Sequence, residues 1–211
     1  LSWPEGQSIN DYISDELATV SYSSLELVLD AGVGAEMAKS DIKSAFRLLP
    51  VHPEDFELLG IHFRNQWYVD KALPMGCSIS CSLFETFSTF LEWVFSQTTG
   101  SDKVTHYLDD FFFVGTPGSA DCQKHLASFK ELMEYIGVPL AGEKTVGPDT
   151  AMTFLGIEVD SKAMVARLPA DKQKAMLTLI AAMLLKEKVR VKEIQVLLGH
   201  LNFASRVIRA G

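Results

Sequence analysis

Cysteine is scarce. The 211 residues contain three (Cys77, Cys81 and Cys122), too few for a disulfide framework and suited to a reducing compartment. Long apolar runs are also missing. The most apolar stretch, 176–185, is too short to span a bilayer, so no membrane partner is expected. The opening residues carry no basic segment followed by an apolar one, so an intracellular protein, cytoplasmic or nuclear, is expected. Internal repeats and low-complexity tracts are lacking too. No G-x-x-x-x-G-K phosphate loop and no nucleophile elbow occurs, and Cys77 and Cys81 have no second Cys/His pair to complete a zinc site. Bases are outnumbered, 19 Lys and Arg against 27 Asp and Glu, which speaks against a uniformly phosphate-binding surface.

What is present is an ordinary globular mixture, 47% apolar and 22% charged, with strongly segregated charge. Residues 1–110 carry a net −11, residues 111–161 a net −4, and residues 162–211 a net +7. Such a chain can gather its acids around cations and lay its bases on a polyanion; a solvated basic helix pair is the ordinary alternative. Apolar spacing predicts a helix capped by Ser23 or Ser24, a strand over 36–42, and two strands over 56–63 and 67–73. A helix over 79–95 follows, then two apolar runs around Asp109-Asp110, then a helix begun by Ser119 and ended by Gly137. Strands over 152–159 and 164–168 and helices over 170–185 and 191–208 complete the order. The class is therefore α+β with a helical appendage.

Two adjacent acids inside apolar strand-forming runs are costly. A two-residue hairpin turn favours Asn-Gly or Gly-Gly, and like charges near low-dielectric walls raise each other's pKa or call for a cation. Asp109 and Asp110 stand this way, and Asp41 ends a separate strand-like run. Alone, Asp-Asp is explained by a solvated turn and Asp41 by a helix cap. Together, on strands that one sheet can align, they form the oxygen-only ligand set that Mg²⁺ takes, with open positions left for substrate phosphates.

These residues carry a family resemblance. Asp41-Ile42-x-x-Ala45-Phe46 resembles the first palm motif of reverse transcriptases. Leu73-Pro74-Met75-Gly76, followed by Ser78, Ser80 and Phe84, resembles the second. Tyr107-Leu108-Asp109-Asp110 matches the Tyr-x-Asp-Asp box, Lys144 resembles the lysine of the fourth motif, and Phe154-Leu155-Gly156-Ile157 resembles the primer grip. Five motifs in order are specific where one is not. Ser8-Ile9-Asn10-Asp11, the run 43–52 and the run 197–203 are similar to tyrosine-recombinase retrotransposons of the DIRS/Ngaro kind.

The resemblance implies a right-hand polymerase palm, an antiparallel sheet packed on helices. Partial fingers would occupy 1–35, the palm 36–168 with a fingers insertion about 50–75, and a helical thumb segment 169–211. More fingers residues are expected upstream of Leu1 and more thumb after Gly211. The implied activity is RNA-directed DNA polymerisation, with transfer of a nucleotide from dNTP to a primer 3′-hydroxyl on an RNA or DNA template. Asp41, Asp109 and Asp110 would bind two Mg²⁺ ions, with Mn²⁺ as a substitute, and Lys144 would protonate the departing pyrophosphate. Ser44, Ala45, Phe46, Met75 and Gly76 would line the dNTP, Phe46 as a steric gate against ribonucleotides. Met75 departs from the Gln or Phe of many relatives and cannot hydrogen-bond the nucleotide as Gln does. Tyr107, Phe154, Leu155 and Gly156 would face the primer end, and Lys172 and Lys174 the duplex phosphates. A non-catalytic module, domesticated or decayed, is the competing reading; three intact acids speak against it. Oligomeric state is not encoded in any of these features.

Overall fold

The computed structural model describes residues 8–14 and 26–208. Its centre is an antiparallel sheet in the order β4-β5-β1-β6. These strands span Glu36–Asp41 (β1), Val104–Tyr107 (β4), Asp110–Gly115 (β5) and Val146–Asp149 (β6). β5 carries Phe111, Phe112, Phe113 and Val114, all fully buried. Alternation sends Phe111 and Phe113 to one face and Phe112 and Val114 to the other. Both faces are covered, which is why this strand is continuously apolar rather than alternating.

On the first face lie helices α2 (Ser80–Thr99) and α3 (Asp121–Ile136). Phe84, Leu91 and Phe95 of α2 and Phe129 and Met133 of α3 meet Phe111 and Phe113 there. The rings of Phe129 and Phe111 lie 4.7 Å apart, and each buried ring contributes about 1.5–3 kcal/mol of transfer free energy. Gly137 ends α3 in the left-handed region, as expected of a glycine after a helix. On the second face sit α1 (Glu26–Ala31) and a three-stranded sheet, β7 (Ala151–Phe154), β8 (Ile157–Asp160) and β9 (Val165–Arg167). The rest is a hairpin of β2 (Gly60–Phe63) and β3 (Gln66–Val69), exposed along its length, and the helix pair α4 (Ala170–Leu184) and α5 (Val191–Ala204). No helix among the described residues is long and apolar enough to cross a membrane.

The elements follow the predicted order with three differences. Residues 53–59 form a 3-10 helix rather than the start of a strand, Pro53 occupying its first turn. The run 152–159 is not one strand: Leu155 (φ 47°) and Gly156 (φ 76°) turn it back into the β7–β8 hairpin, the positive-φ pair that a tight hairpin takes. The sequence pattern predicts no strand at β6, because Val146-Gly147-Pro148-Asp149 neither alternates nor favours a strand. As an edge strand it tolerates Pro148. It approaches β1 so closely that a Cβ on Gly147 would lie 2.6 Å from the Met37 carbonyl oxygen. The expected caps Ser23 and Ser24 lie outside the described residues.

Candidate active site

β1 runs antiparallel to β5 with Asp41 directly opposite Asp110, so both carboxylates leave the same sheet face at the same end. The Ile42 N–H donates to the Asp109 carbonyl at 3.0 Å, and the three acids of two distant sequence motifs are thereby held together. The hairpin turn is Leu108-Asp109, not Asp109-Asp110. Asp110 already belongs to β5, and Leu108 takes the positive φ (52°). The poor turn chemistry of Asp-Asp is thus avoided by moving the strain one residue earlier, onto a leucine.

The electrostatics match the crowding. Burial pushes the Asp110 carboxyl up to about 6, with Asp109 and then Asp41 adding to it, while Lys39 and Lys144 oppose. Burial also raises Asp109, helped by the charge of Asp41. Asp41, 8% exposed at its side chain, receives the Lys144 ammonium at 2.8 Å. That hydrogen bond and the acids' charge raise the Lys144 pKa and keep the ammonium charged. Lys39 is anchored on the Thr153 carbonyl of β7 at 2.7 Å. Among the described residues no three His, Cys, Asp or Glu side chains stand ready around one metal position; Asp41 is paired with Lys144 instead. The donors are all hard oxygens and the cluster carries more negative charge than its two lysines cancel, the chemistry that a magnesium site requires.

Around the acids, the chain past Asp41 turns at Ser44 (φ 60°) into a 3-10 helix of Ala45–Leu48. Half-buried Phe46 meets Phe84 edge to face, ring centroids 5.4 Å apart. Met75 is 78% exposed, and Gly76 (φ 87°) has open space where a Cβ would stand. The loop holding them is clamped by Asn10, which donates to the Gly76 carbonyl (2.9 Å) and accepts from the Ser78 N–H (2.8 Å). Nothing in the pattern of residues 8–11 assigned Asn10 that role. Tyr107 is half-buried at the end of β4, opposite Asp110.

The primer-grip residues divide. Phe154 is 4% exposed and stacked on Phe112 at 4.5 Å, so its ring serves the core and Leu155 and Gly156 form the outer turn. Lys172 donates to the Gly156 carbonyl at 3.2 Å and lies 4.6 Å over the Phe203 ring, joining α4, α5 and this turn. Lys174 is exposed on α4.

Comparison with known proteins follows the same lines. Residues 7–159 match the family model described as reverse transcriptase (RNA-dependent DNA polymerase). Protein P of duck hepatitis B virus (strain China) is 28% identical over 176 residues, covering 81% of this chain and 21% of the viral protein. The genome polyprotein of Petunia vein clearing virus is 24% identical over 201 residues, covering 93% of this chain and 8% of the polyprotein. The chain thus spans about a fifth or less of these relatives. Among solved structures, the foamy viral protease-reverse transcriptase in complex with double-stranded DNA superposes with a TM-score of 0.69 at 19% identity. It covers 88% of this chain and 30% of that one. The same protein with an RNA/DNA hybrid gives 0.69 over 87% and 23%. The likeness establishes the α+β palm fold, and the family match over most of the sequence makes this chain a member of the reverse transcriptase family.

Proposed function

We propose that this chain is the polymerase core of an RNA-directed DNA polymerase that extends a primer 3′-hydroxyl with dNTP on a nucleic-acid template. The observation that carries the reading is the pairing of Asp41 with Asp110, beside Asp109, at one end of the central sheet. Asp41 and Asp109, with Asp110 at their side, would hold two Mg²⁺ ions, or Mn²⁺, which would supply activation of the primer hydroxyl and neutralisation of pyrophosphate. Lys144, kept charged at Asp41, is the proton donor to the leaving pyrophosphate. Phe46, braced by Phe84, blocks the ribose 2′-hydroxyl, while Ser44, Ala45, Met75 and Gly76 line the nucleotide. Tyr107, Leu155 and Gly156 face the primer end. Lys172 reaches phosphate only by leaving the Gly156 carbonyl, so Lys174 and the outward bases of α4 and α5 provide the duplex contacts.

In this reading residues 1–35 are partial fingers, 36–168 the palm, with a fingers insertion about 50–75 that includes the β2–β3 hairpin, and 169–211 the first part of the thumb. The motif similarities at residues 8–11, 43–52 and 197–203 favour a retrotransposon of the tyrosine-recombinase kind, working in cytoplasm and nucleus.

Primer extension on poly(rA)/oligo(dT) with Mg²⁺ or Mn²⁺ tests the proposal. The wild-type chain extends the primer, and Asp109→Asn loses at least about 100-fold, the scale of removing one preorganised electrostatic contact. Equal extension by both proteins would exclude the assigned role of Asp109, and a chain unable to extend even when fused to added fingers and thumb segments would point to the non-catalytic module.

A further inference from the structure

Behind the Leu108-Asp109 turn lies a charged assembly that the polymerase reading does not use. Glu85 of α2 accepts the Leu108 N–H at 3.1 Å through Oε2. Its other oxygen, Oε1, lies 3.2 Å from His106 Nε2. The opposite ring nitrogen, Nδ1, meets Glu92 Oε2, nearly two helical turns along α2, at 2.5 Å. The His106 side chain is 7% exposed and that of Glu85 15%. The imidazole also stacks on Phe111 with centroids 5.3 Å apart, so its position is set by the core.

Three acid-base groups at the edge of an apolar helix–sheet interface are expensive unless each is paired. Here each is, and the chain of contacts ends on one backbone N–H. That N–H belongs to the residue at positive φ, the leucine that opens the turn and brings the Asp109 carbonyl to the Ile42 N–H. The turn is thereby gripped twice: Glu85 holds the Leu108 N–H from the helix side, and the Ile42 N–H holds the Asp109 carbonyl from β1. A leucine in the left-handed region is strained by its Cβ, and a charged acceptor on its N–H is among the stronger offsets a backbone can find.

We propose that Glu85, braced by His106 and Glu92, is a positioning residue that fixes the Leu108-Asp109 turn and so the place of the Asp109 carboxylate. The inference rests on the polymerase reading for its consequence in activity, but not for its geometry. Two variants test it. Glu85→Ala removes the acceptor. Glu85→Gln keeps an oxygen at the same reach and should serve as the conservative rescue.

Three readouts are taken on the full chain: amide hydrogen exchange at Leu108, Mn²⁺ affinity followed by electron paramagnetic resonance, and the kcat and KM of primer extension. Glu85→Ala is expected to lose Leu108 protection, to weaken Mn²⁺ binding about 10-fold or more, and to lower kcat about 10- to 100-fold with the KM for dNTP little changed, the usual scale for a group that orients a ligand. Glu85→Gln should stay within about threefold of wild type in each, a difference under 1 kcal/mol. Unchanged Leu108 protection and Mn²⁺ affinity in Glu85→Ala overturns the proposal, as does a Glu85→Gln protein indistinguishable from Glu85→Ala. A wild-type chain that fails to extend primers overturns the proposed activity instead, and the exchange and Mn²⁺ measurements still decide the positioning role.

Discussion

Asp110 shows what the site costs the metal-free protein. Its folded pKa of about 6 lies above the ordinary 3.8, so between those pH values the folded chain binds a proton that the unfolded chain lacks. Stability from this group therefore rises as pH falls from 7 towards 4, and is lost as pH climbs through 6. In chelator-containing buffer, Asp110→Asn is expected to melt higher than wild type at pH 7.5, with the gap closing by pH 5. A lower melting temperature at both pH values would contradict the crowding of the acids. Phe46 carries a second prediction: Phe46→Ala should lower the preference for dNTP over ribonucleotide by at least about tenfold, the scale of reshaping an apolar pocket wall. A variant that still excludes ribonucleotides removes the gate assignment. Asp41 and Asp109 are legible because charge in an apolar strand context is costly and therefore informative, whereas Lys144, in a polar loop, is legible only through its motif resemblance. Glu85 and Asn10 are not: an acid on a helix and an asparagine in a polar loop are what solvent alone would allow, and only the long-range contacts to Leu108 and Gly76 give them meaning.

Elements are most legible where the apolar signal is unbroken. The helices over 80–99 and 121–136 carry apolar stripes at helical spacing and the strand over 110–115 a continuous apolar run, and the structure places all three close to where the sequence does. The β7–β8 turn escaped because apolar residues continue through it, and a leucine at positive φ leaves no mark in composition. β6 escaped because its pairing depends on what it lacks: Gly147 lets the β1 backbone approach where any side chain would strike Met37 and Ala38. Gly147→Ala should therefore cost about 2 kcal/mol or more, from left-handed strain and displacement of the edge strand together. Chemical denaturation checks this, and an unaffected midpoint would show that β6 contributes nothing to the sheet. Because β6 follows directly on Lys144, the same variant should loosen the ammonium from Asp41.

At the scale of the whole molecule the net negative charge misleads and its distribution informs. Three acids of the first half, Asp41, Asp109 and Asp110, meet at one sheet end, while the described bases of 162–208 lie on β9, α4 and α5 or in the segments flanking them. Lys174, Lys188 and Lys192 are exposed, and each that meets a phosphate contributes about 0.9 to the slope of log affinity against log salt. Replacing all three with Gln should flatten that slope for primer-template binding by up to about 2.7 on the same relation, with no loss of sequence tolerance; an unchanged slope would mean the duplex lies elsewhere. The proposed activity requires Asp41, Asp109 and Asp110 to hold shared divalent ions. Anomalous scattering from Mn²⁺ in crystals of the chain with primer-template and a non-hydrolysable dNTP tests this most directly. Two peaks about 4 Å apart, bounded by Asp41 and Asp109 with Lys144 swung from Asp41, are predicted; ions bound away from these carboxylates, with the Lys144–Asp41 pair intact, would contradict it.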